Sequence, residues 1–175
     1  MEDNIDFFHF KGELVDRDNF DSESKDLNKY VKEYIGQYES SSRARNYVGI
    51  SNGNFVSFFS LSASTLKTNE KEKNTVGLPK NEELPTVKIG RLAVDKKYSK
   101  RGYGEKTLHK AISIFINLSK NVGAIGLTVD SKTNAVGYYK KYGFDILCKD
   151  GNNTSMILYT SLLQKKQPSL FESPV

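Results

Sequence analysis

The chain opens on a short apolar run, "IDFFHF" at residues 5–10, which reads as an edge strand. In "SKDLNKYVKEYIGQYESS", Leu27, Tyr30, Val31, Tyr34, Ile35 and Tyr38 recur at helical spacing and predict an amphipathic helix. The tyrosines of that stripe are read as core packing rather than as a stacking platform. Two strands follow, "NYVGI" and "FVSFFSLSAS", joined by the turn signal "SNGN". Residues 66–86 are polar, mixed in charge and interrupted by two prolines, and so predict a long loop, either mobile or a substrate lid. "TVKIGRLAVD" is then a strand ending at Asp95, and the helix beyond it carries Leu108, Ala111, Ile112, Phe115 and Leu118 on one face. "GAIGLTVD" is continuously apolar and predicts a strand buried on both faces. Asn134 is placed to cap a short helix, "AVGYYKKYG", closed by Gly143. "FDILCK" and "TSMILYTSL" complete the sheet as a hairpin across "DGNN", and "QKKQPSLFESPV" is a polar tail predicted to fray.

Helices interleaved with strands predict an α/β (α+β) domain on one mixed sheet, residues 1–163, with the tail at 164–175. Its 175 residues are enough for one core and too few for two ordinary ones. Apolar content of 37% with 27% charged residues marks a globular chain. Nothing approaches a membrane-spanning run, and the acidic start "MEDNIDFFHFKGE" is unlike a signal peptide, so a cytoplasmic location and no membrane partner are expected. A single cysteine, Cys148, excludes an internal disulfide and a multi-cysteine metal site; it reads as a buried thiol, and no metal is expected. The net charge of +5 leans towards a polyanionic partner.

Chemistry concentrates in "AVDKKYSKRGYGEKTLHK", Ala93 to Lys110. A Walker loop would need G-x-x-x-x-G-K-[ST], which is absent. A dinucleotide fingerprint would need a small residue where Thr107 stands, and an early βαβ unit around it. What remains is an anion cradle. Gly102 and Gly104 let successive N–H groups face one way at the start of a helix, whose dipole favours negative charge. Lys100, Arg101 and Lys106 add positive charge. The pattern suits a pyrophosphate.

These residues resemble the GCN5-related N-acetyltransferases (GNAT), whose hallmark [QR]-x-x-G-x-[GA] is matched by "SKRGYG", with Ser99 in place of glutamine or arginine. A second hallmark, A-x-x-x-Y-x-x-x-G-F, is matched by Ala135, Tyr139, Gly143 and Phe144; the asparagine usual three residues earlier is replaced by Lys132. The resemblance implies a GNAT fold, with a splayed six- to seven-stranded mixed sheet flanked by helices, and acetyl-CoA as cofactor. It places the pyrophosphate on Ser99, Lys100, Arg101, Gly102, Tyr103, Gly104, Glu105 and Lys106, with Asn134 as a further polar contact. Leu92, Ala93 and Val94 would offer backbone groups to the pantetheine amides, one N–H also stabilising the oxyanion formed when an amine attacks the thioester. Tyr139 would protonate the leaving thiolate. Tyr138, about a hundred degrees around the helix, is expected to point to the core. His9 and His109 are given no part, and His109 is expected at the surface.

The strand before the cofactor loop carries no carboxylate until Asp95. A lysine ε-amine, with a pKa of about 10.4, needs a strong base, whereas an α-amine at about 7.7–8.0 is already largely neutral. The acceptor is thus expected to be a low-pKa amine. "FDSESKDLNKYV", "NYVGISNGNFVSFFSLSAS" and "GRLAVD" further resemble the GNAT toxins of bacterial toxin–antitoxin pairs, which acetylate the α-amine of aminoacyl-tRNA and block translation. That likeness implies aminoacyl-tRNA as acceptor and a cognate antitoxin as partner; a homodimer is a further expectation, and the basic balance, with Lys88, Arg91, Arg43 and Arg45, would suit an RNA backbone. Two other readings stay open: a GNAT enzyme acting on a protein N-terminus, lysine or small amine, and a non-catalytic binding module.

Overall fold

A computed structural model of the chain describes residues 4–12, 15–68 and 77–171. The seven strands are β1 (Asp6–His9), β2 (Arg45–Ser51), β3 (Asn54–Lys67), β4 (Glu83–Val94), β5 (Gly126–Lys132), β6 (Asp145–Asp150) and β7 (Asn153–Tyr159). They form one mixed sheet in the order β1-β2-β3-β4-β5-β7-β6. The helices are α1 (Lys25–Lys29), α2 (Ile35–Ser40), α3 (Tyr103–Ser119), α4 (Val136–Lys141) and α5 (Thr160–Lys166). The mixed α/β architecture expected from the sequence is the one observed. No helix among the described residues is long and apolar enough to cross a membrane.

The chain divides into two compact units, one of residues up to Ser62 with Gly90–Ile112, the other of Ala63–Ile89 with the rest from Ser113. In the first, β1, β2 and β3 pair antiparallel, and the β2–β3 turn sets Asn52 at φ +49° and Gly53 at φ +77°. Two consecutive left-handed residues make the tight hairpin turn that asparagine–glycine favours. Phe20 is 1% exposed and packs on Phe55 and Phe58 at ring separations of 4.8 and 5.6 Å. Around it gather Phe10, Tyr30, Val31, Ile35, Val48 and Ala93. In the second unit, β4 and β5 pair in parallel from Val87↔Leu127 to Ile89↔Val129, while β7 pairs antiparallel with β5 and β6.

The first helix departs from its sequence pattern in an informative way. Between α1 and α2, Tyr30–Tyr34 form a π turn, in which the Ile35 N–H donates to the Tyr30 carbonyl five residues back. The wider turn takes in one extra residue and rotates the later side chains backwards. Tyr34, which uniform α spacing would bury, is therefore 36% exposed, and Ile35 swings fully into the core.

Other expectations need correction. Strands β3 and β4 extend to Lys67 and from Glu83, so the ends of the anticipated 66–86 loop are strand; residues 69–76 of it lie outside the described residues. Leu118, in the last turn of α3, is 42% exposed, and Ile116 is buried instead. β5 is buried on both faces only at its start, since Asp130 and Lys132 are exposed. Asn134 does not cap α4: it lies exposed in a 3-10 turn (Thr133–Ala135), and α4 starts without a side-chain cap. Strand β7 ends at Tyr159, where Thr160 begins α5; that helix and a 3-10 turn at Pro168–Leu170 give half of the supposed tail regular structure. Cys148 is half-buried rather than buried.

Candidate functional site

In the first unit, β4 leads directly into the glycine loop. Asp95 ends the strand, is 3% exposed, and accepts hydrogen bonds from the backbone N–H groups of Asp21 (3.1 Å) and Lys97 (2.9 Å). It thereby starts the 3-10 turn Lys96–Tyr98 and ties the loop to the segment leading into α1. That segment is braced in turn. The Lys96 N–H donates to the Asp21 carbonyl at 2.7 Å, and the Lys96 ammonium meets the Asp21 carboxylate at 2.7 Å. Asn28 donates to Asp21 Oδ1 and accepts from the Ser22 backbone, each at 2.8 Å. The Lys96 ammonium and the Asn28 amide hold the Asp21 carboxyl well below the usual carboxylate range, on an exposed group where the ion pair adds little stability.

Beyond Ser99 the backbone alternates. Lys100 has φ +61° and Gly102 φ +80°, a conformation that turns neighbouring N–H groups towards one concave side. A Cβ on Gly102 would meet no atom within 4 Å, so the space beside the loop is open to a ligand. The Lys106 N–H closes the first helical bond to the Gly102 carbonyl at 3.1 Å, and α3 runs on from Tyr103. Ser99, Lys100, Arg101 and Gly102 are exposed; Gly104, Glu105 and Lys106 are half-exposed. Tyr103 differs: its ring is 2% exposed and its hydroxyl donates to Ser51 Oγ at 2.9 Å, so its side chain anchors the loop and is not available to a ligand. Ala93 is likewise core, 6% exposed, between the half-buried Leu92 and Val94. The loop thus fits a pyrophosphate: open space, left-handed backbone, a helix start and local positive charge.

The second unit carries Lys88, Asn134 and Tyr139. Tyr139 is 7% exposed and packs edge-on against Phe144 at 5.5 Å and Tyr138 at 5.1 Å. Burial pushes its phenol up to about 12. No described residue hydrogen-bonds its hydroxyl, which distinguishes it from an ordinary satisfied core tyrosine. Expected burial was inverted here: Tyr138, the neighbour assigned to the core, is only half-buried. Lys88 is bound to the Asp130 carboxylate, which also accepts from Ser155 Oγ at 2.7 Å. His109 is exposed, as expected.

Two residues escaped the sequence reading. Asp95 drew notice only as a carboxylate beyond the strand, although an aspartate before "KKY" is a recognisable turn cap. Tyr30 was read as packing, yet the Arg91 guanidinium lies over its ring, 3.7 Å from the centroid.

An acetyltransferase (GNAT) domain family matches residues 26–154, which include the glycine loop, Tyr139 and all strands but β1 and most of β7. This chain is a GNAT protein. The match makes it an acetyl-CoA-dependent N-acetyltransferase. Solved structures agree in fold. AtaTR bound with acetyl-CoA superimposes with a TM-score of 0.79 at 21% identity, covering 95% of this chain and 99% of that one. A tyrosine-to-phenylalanine variant of KacT gives 0.80 at 23% identity, covering 93% and 98%. AtaT complexed with acetyl-methionyl-tRNAfMet gives 0.79 at 20% identity, covering 97% and 100%.

Proposed function

We propose that this GNAT enzyme acetylates the α-amine of an aminoacyl-tRNA and acts as a translation-blocking toxin. The observation that carries the reading is the likeness, over 97% of this chain, to AtaT complexed with acetyl-methionyl-tRNAfMet. Two features support it. The stretch Val87–Val94 of β4 carries no carboxylate to serve as a base for a lysine: Glu83, at the start of the strand, is ion-paired with Lys67, and Asp95, just past its end, is buried and already accepts two backbone N–H groups. The net charge of +5 also suits an RNA partner.

Acetyl-CoA supplies an acetyl group activated as a thioester. The N–H groups of Ser99–Lys106 would hold its pyrophosphate, with Lys100 and Arg101 adding charge. The backbone of Leu92, Ala93 and Val94 would orient the pantetheine arm, and an N–H there would be the donor for the developing oxyanion. Tyr139 holds a proton on its hydroxyl. A phenol kept near 12 stays neutral throughout the working range, so the proton is available to the departing thiolate. The acceptor arrives with its amine neutral, at an α-amine pKa of about 7.7–8.0, and needs no strong base. Asn134, exposed in the turn before α4, would be a further contact to the cofactor.

The same reading proposes a cytoplasmic enzyme held inactive by a cognate antitoxin, since AtaT has been solved bound to the C-terminus of the antitoxin AtaR. A homodimer is part of the proposal. Radiolabelled acetyl transfer tests it by comparing charged tRNA, uncharged tRNA, free amino acids, polyamines and lysine peptides. Label on charged tRNA alone is expected. Label on lysine peptides or polyamines in preference would replace this reading with that of a general amine acetyltransferase.

A further inference from the structure

Four cations were candidates for gripping an acceptor, and the structure separates them. Arg45 is bound to Glu39 (2.8 Å) and Lys88 to Asp130. Arg43 lies over Tyr38 at 4.2 Å and donates from Nε to Ser41 Oγ at 2.9 Å. Arg91, half-buried on β4, is different. Its guanidinium lies 3.7 Å from the Tyr30 centroid and 4.9 Å from that of Tyr38, and no described residue accepts a hydrogen bond from it. Its donors are not buried, so they are reachable from solvent and open to an anion.

The surroundings of Arg91 are fixed. In a uniform α-helix residues eight apart sit about 80° apart around the axis, which would separate Tyr30 from Tyr38. The π turn absorbs one residue and brings both to the same side, where their rings meet edge-on at 5.2 Å and 78°. Tyr30 is clamped on its other sides. Its ring stacks on Phe58 at 6.0 Å, and its hydroxyl donates to Asn46 Oδ1 at 2.7 Å. The Asn46 amide is held by Glu39 Oε2, which accepts from both its Nδ2 (3.1 Å) and its backbone N–H (2.8 Å). Two rings therefore hold one guanidinium, whose donors meet no described acceptor.

We propose that Arg91 reads a phosphodiester of the acceptor, and that Tyr30 is the positioning residue that aims it. The inference rests on the aminoacyl-tRNA reading. In an aminoacyl ester the amino acid has lost its carboxylate, so the anion nearest the reacting amine is the phosphodiester joining the last two nucleotides. Arg91 stands one to three strand residues, about 3–10 Å, before the Leu92–Val94 backbone assigned to the cofactor. A planar guanidinium held by stacking engages two phosphate oxygens at once, which an ammonium does not.

The test compares Arg91→Gln, Arg91→Lys and Tyr30→Phe with wild type on two acceptors: aminoacyl-tRNA, and aminoacyl-adenosine, which keeps the amine and ester but has no phosphate. A charge-assisted contact gives a factor of about 10–100, so Arg91→Gln should lose that much kcat/KM on the tRNA, mainly through KM. On aminoacyl-adenosine the loss should be a few-fold at most. The salt slope of log kcat/KM on the tRNA should flatten by about 0.7–0.9. Arg91→Lys should recover the slope but not the full KM, and Tyr30→Phe should raise KM on the tRNA alone. Calorimetric acetyl-CoA affinity checks that each variant is folded. Equal losses on both acceptors, or an unchanged salt slope in Arg91→Gln, would overturn the assignment. If wild type ignored charged tRNA, the parent reading would fail and this one with it; normal tRNA kinetics in Arg91→Gln would defeat this one alone.

Discussion

Removing a single oxygen from Tyr139 separates its chemical role from its packing. The ring contacts with Phe144 and Tyr138 survive in Tyr139→Phe, and the hydroxyl gives up no hydrogen bond to a described residue. Stability at neutral pH should therefore change by under about 1 kcal/mol, while kcat falls about a hundredfold or more, equivalent to about 2.7 kcal/mol of barrier. The phenol supplies a second, independent signature. Its folded value of about 12 lies above the ordinary 10.0, so its contribution to stability is complete below pH 10 and is lost as pH rises through 12. By pH 11 the wild type should have lost about 1.4 kcal/mol relative to pH 9 that the phenylalanine variant retains. Urea titrations of both proteins at the two pH values measure this, and thiol release from acetyl-CoA measures kcat. The pH–rate profile should rise with deprotonation of the acceptor amine near pH 8 and show no decline before about pH 10. Tyr138→Phe should stay within a few-fold of wild type. If Tyr139→Phe retained wild-type turnover, or Tyr138→Phe lost as much, the assignment of the proton donor would be refuted.

At Gly102, φ is +80° and a Cβ would meet no atom within 4 Å, so Gly102→Val should fold with a strain of about 1–2 kcal/mol. Calorimetry should show acetyl-CoA affinity down at least tenfold, and unchanged affinity would sink the cradle. Asp95→Ala removes the acceptor for the N–H groups of Asp21 and Lys97, so it should cost about 1–3 kcal/mol in all and raise the KM for acetyl-CoA; a variant that melts like wild type would deny Asp95 its bracing role. Phe20→Ala should cost about 3–5 kcal/mol in urea denaturation, and a loss below 1 kcal/mol would mean that Phe20 is not central to the first unit's core.

The parts legible in the sequence were those written in local chemistry. Asn52–Gly53 announced its hairpin, "SKRGYG" announced an anion loop before a helix, and β2, β4 and β7 declared themselves through aliphatic and β-branched runs. What escaped depended on geometry that no residue type encodes. The π turn is invisible to a count at 3.6 residues per turn, because Tyr30, Val31, Tyr34, Ile35 and Tyr38 fit a uniform helix almost as well. Polar, charged ends of β3 and β4 look like loop, since Lys67 and Glu83 pair with each other across the strands at 3.2 Å instead of showing an alternating pattern. The order of burial of Tyr138 and Tyr139 turned on how a six-residue helix is rotated, which two adjacent identical residues cannot reveal. Arg91 was legible as a cation near the reaction and illegible as one held between two tyrosine rings with no described hydrogen-bond acceptor.

The central claim concerns the atom that receives the acetyl group. Mass spectrometry of a charged tRNA pool, incubated with enzyme and acetyl-CoA and then digested to its 3′-terminal aminoacyl nucleosides, reads that atom directly. The account predicts N-acetyl-aminoacyl-adenosine, formed by wild type and reduced about a hundredfold or more by Tyr139→Phe over the same incubation. Unmodified aminoacyl-adenosine, with acetyl groups appearing instead on protein lysines or free small amines, would contradict it.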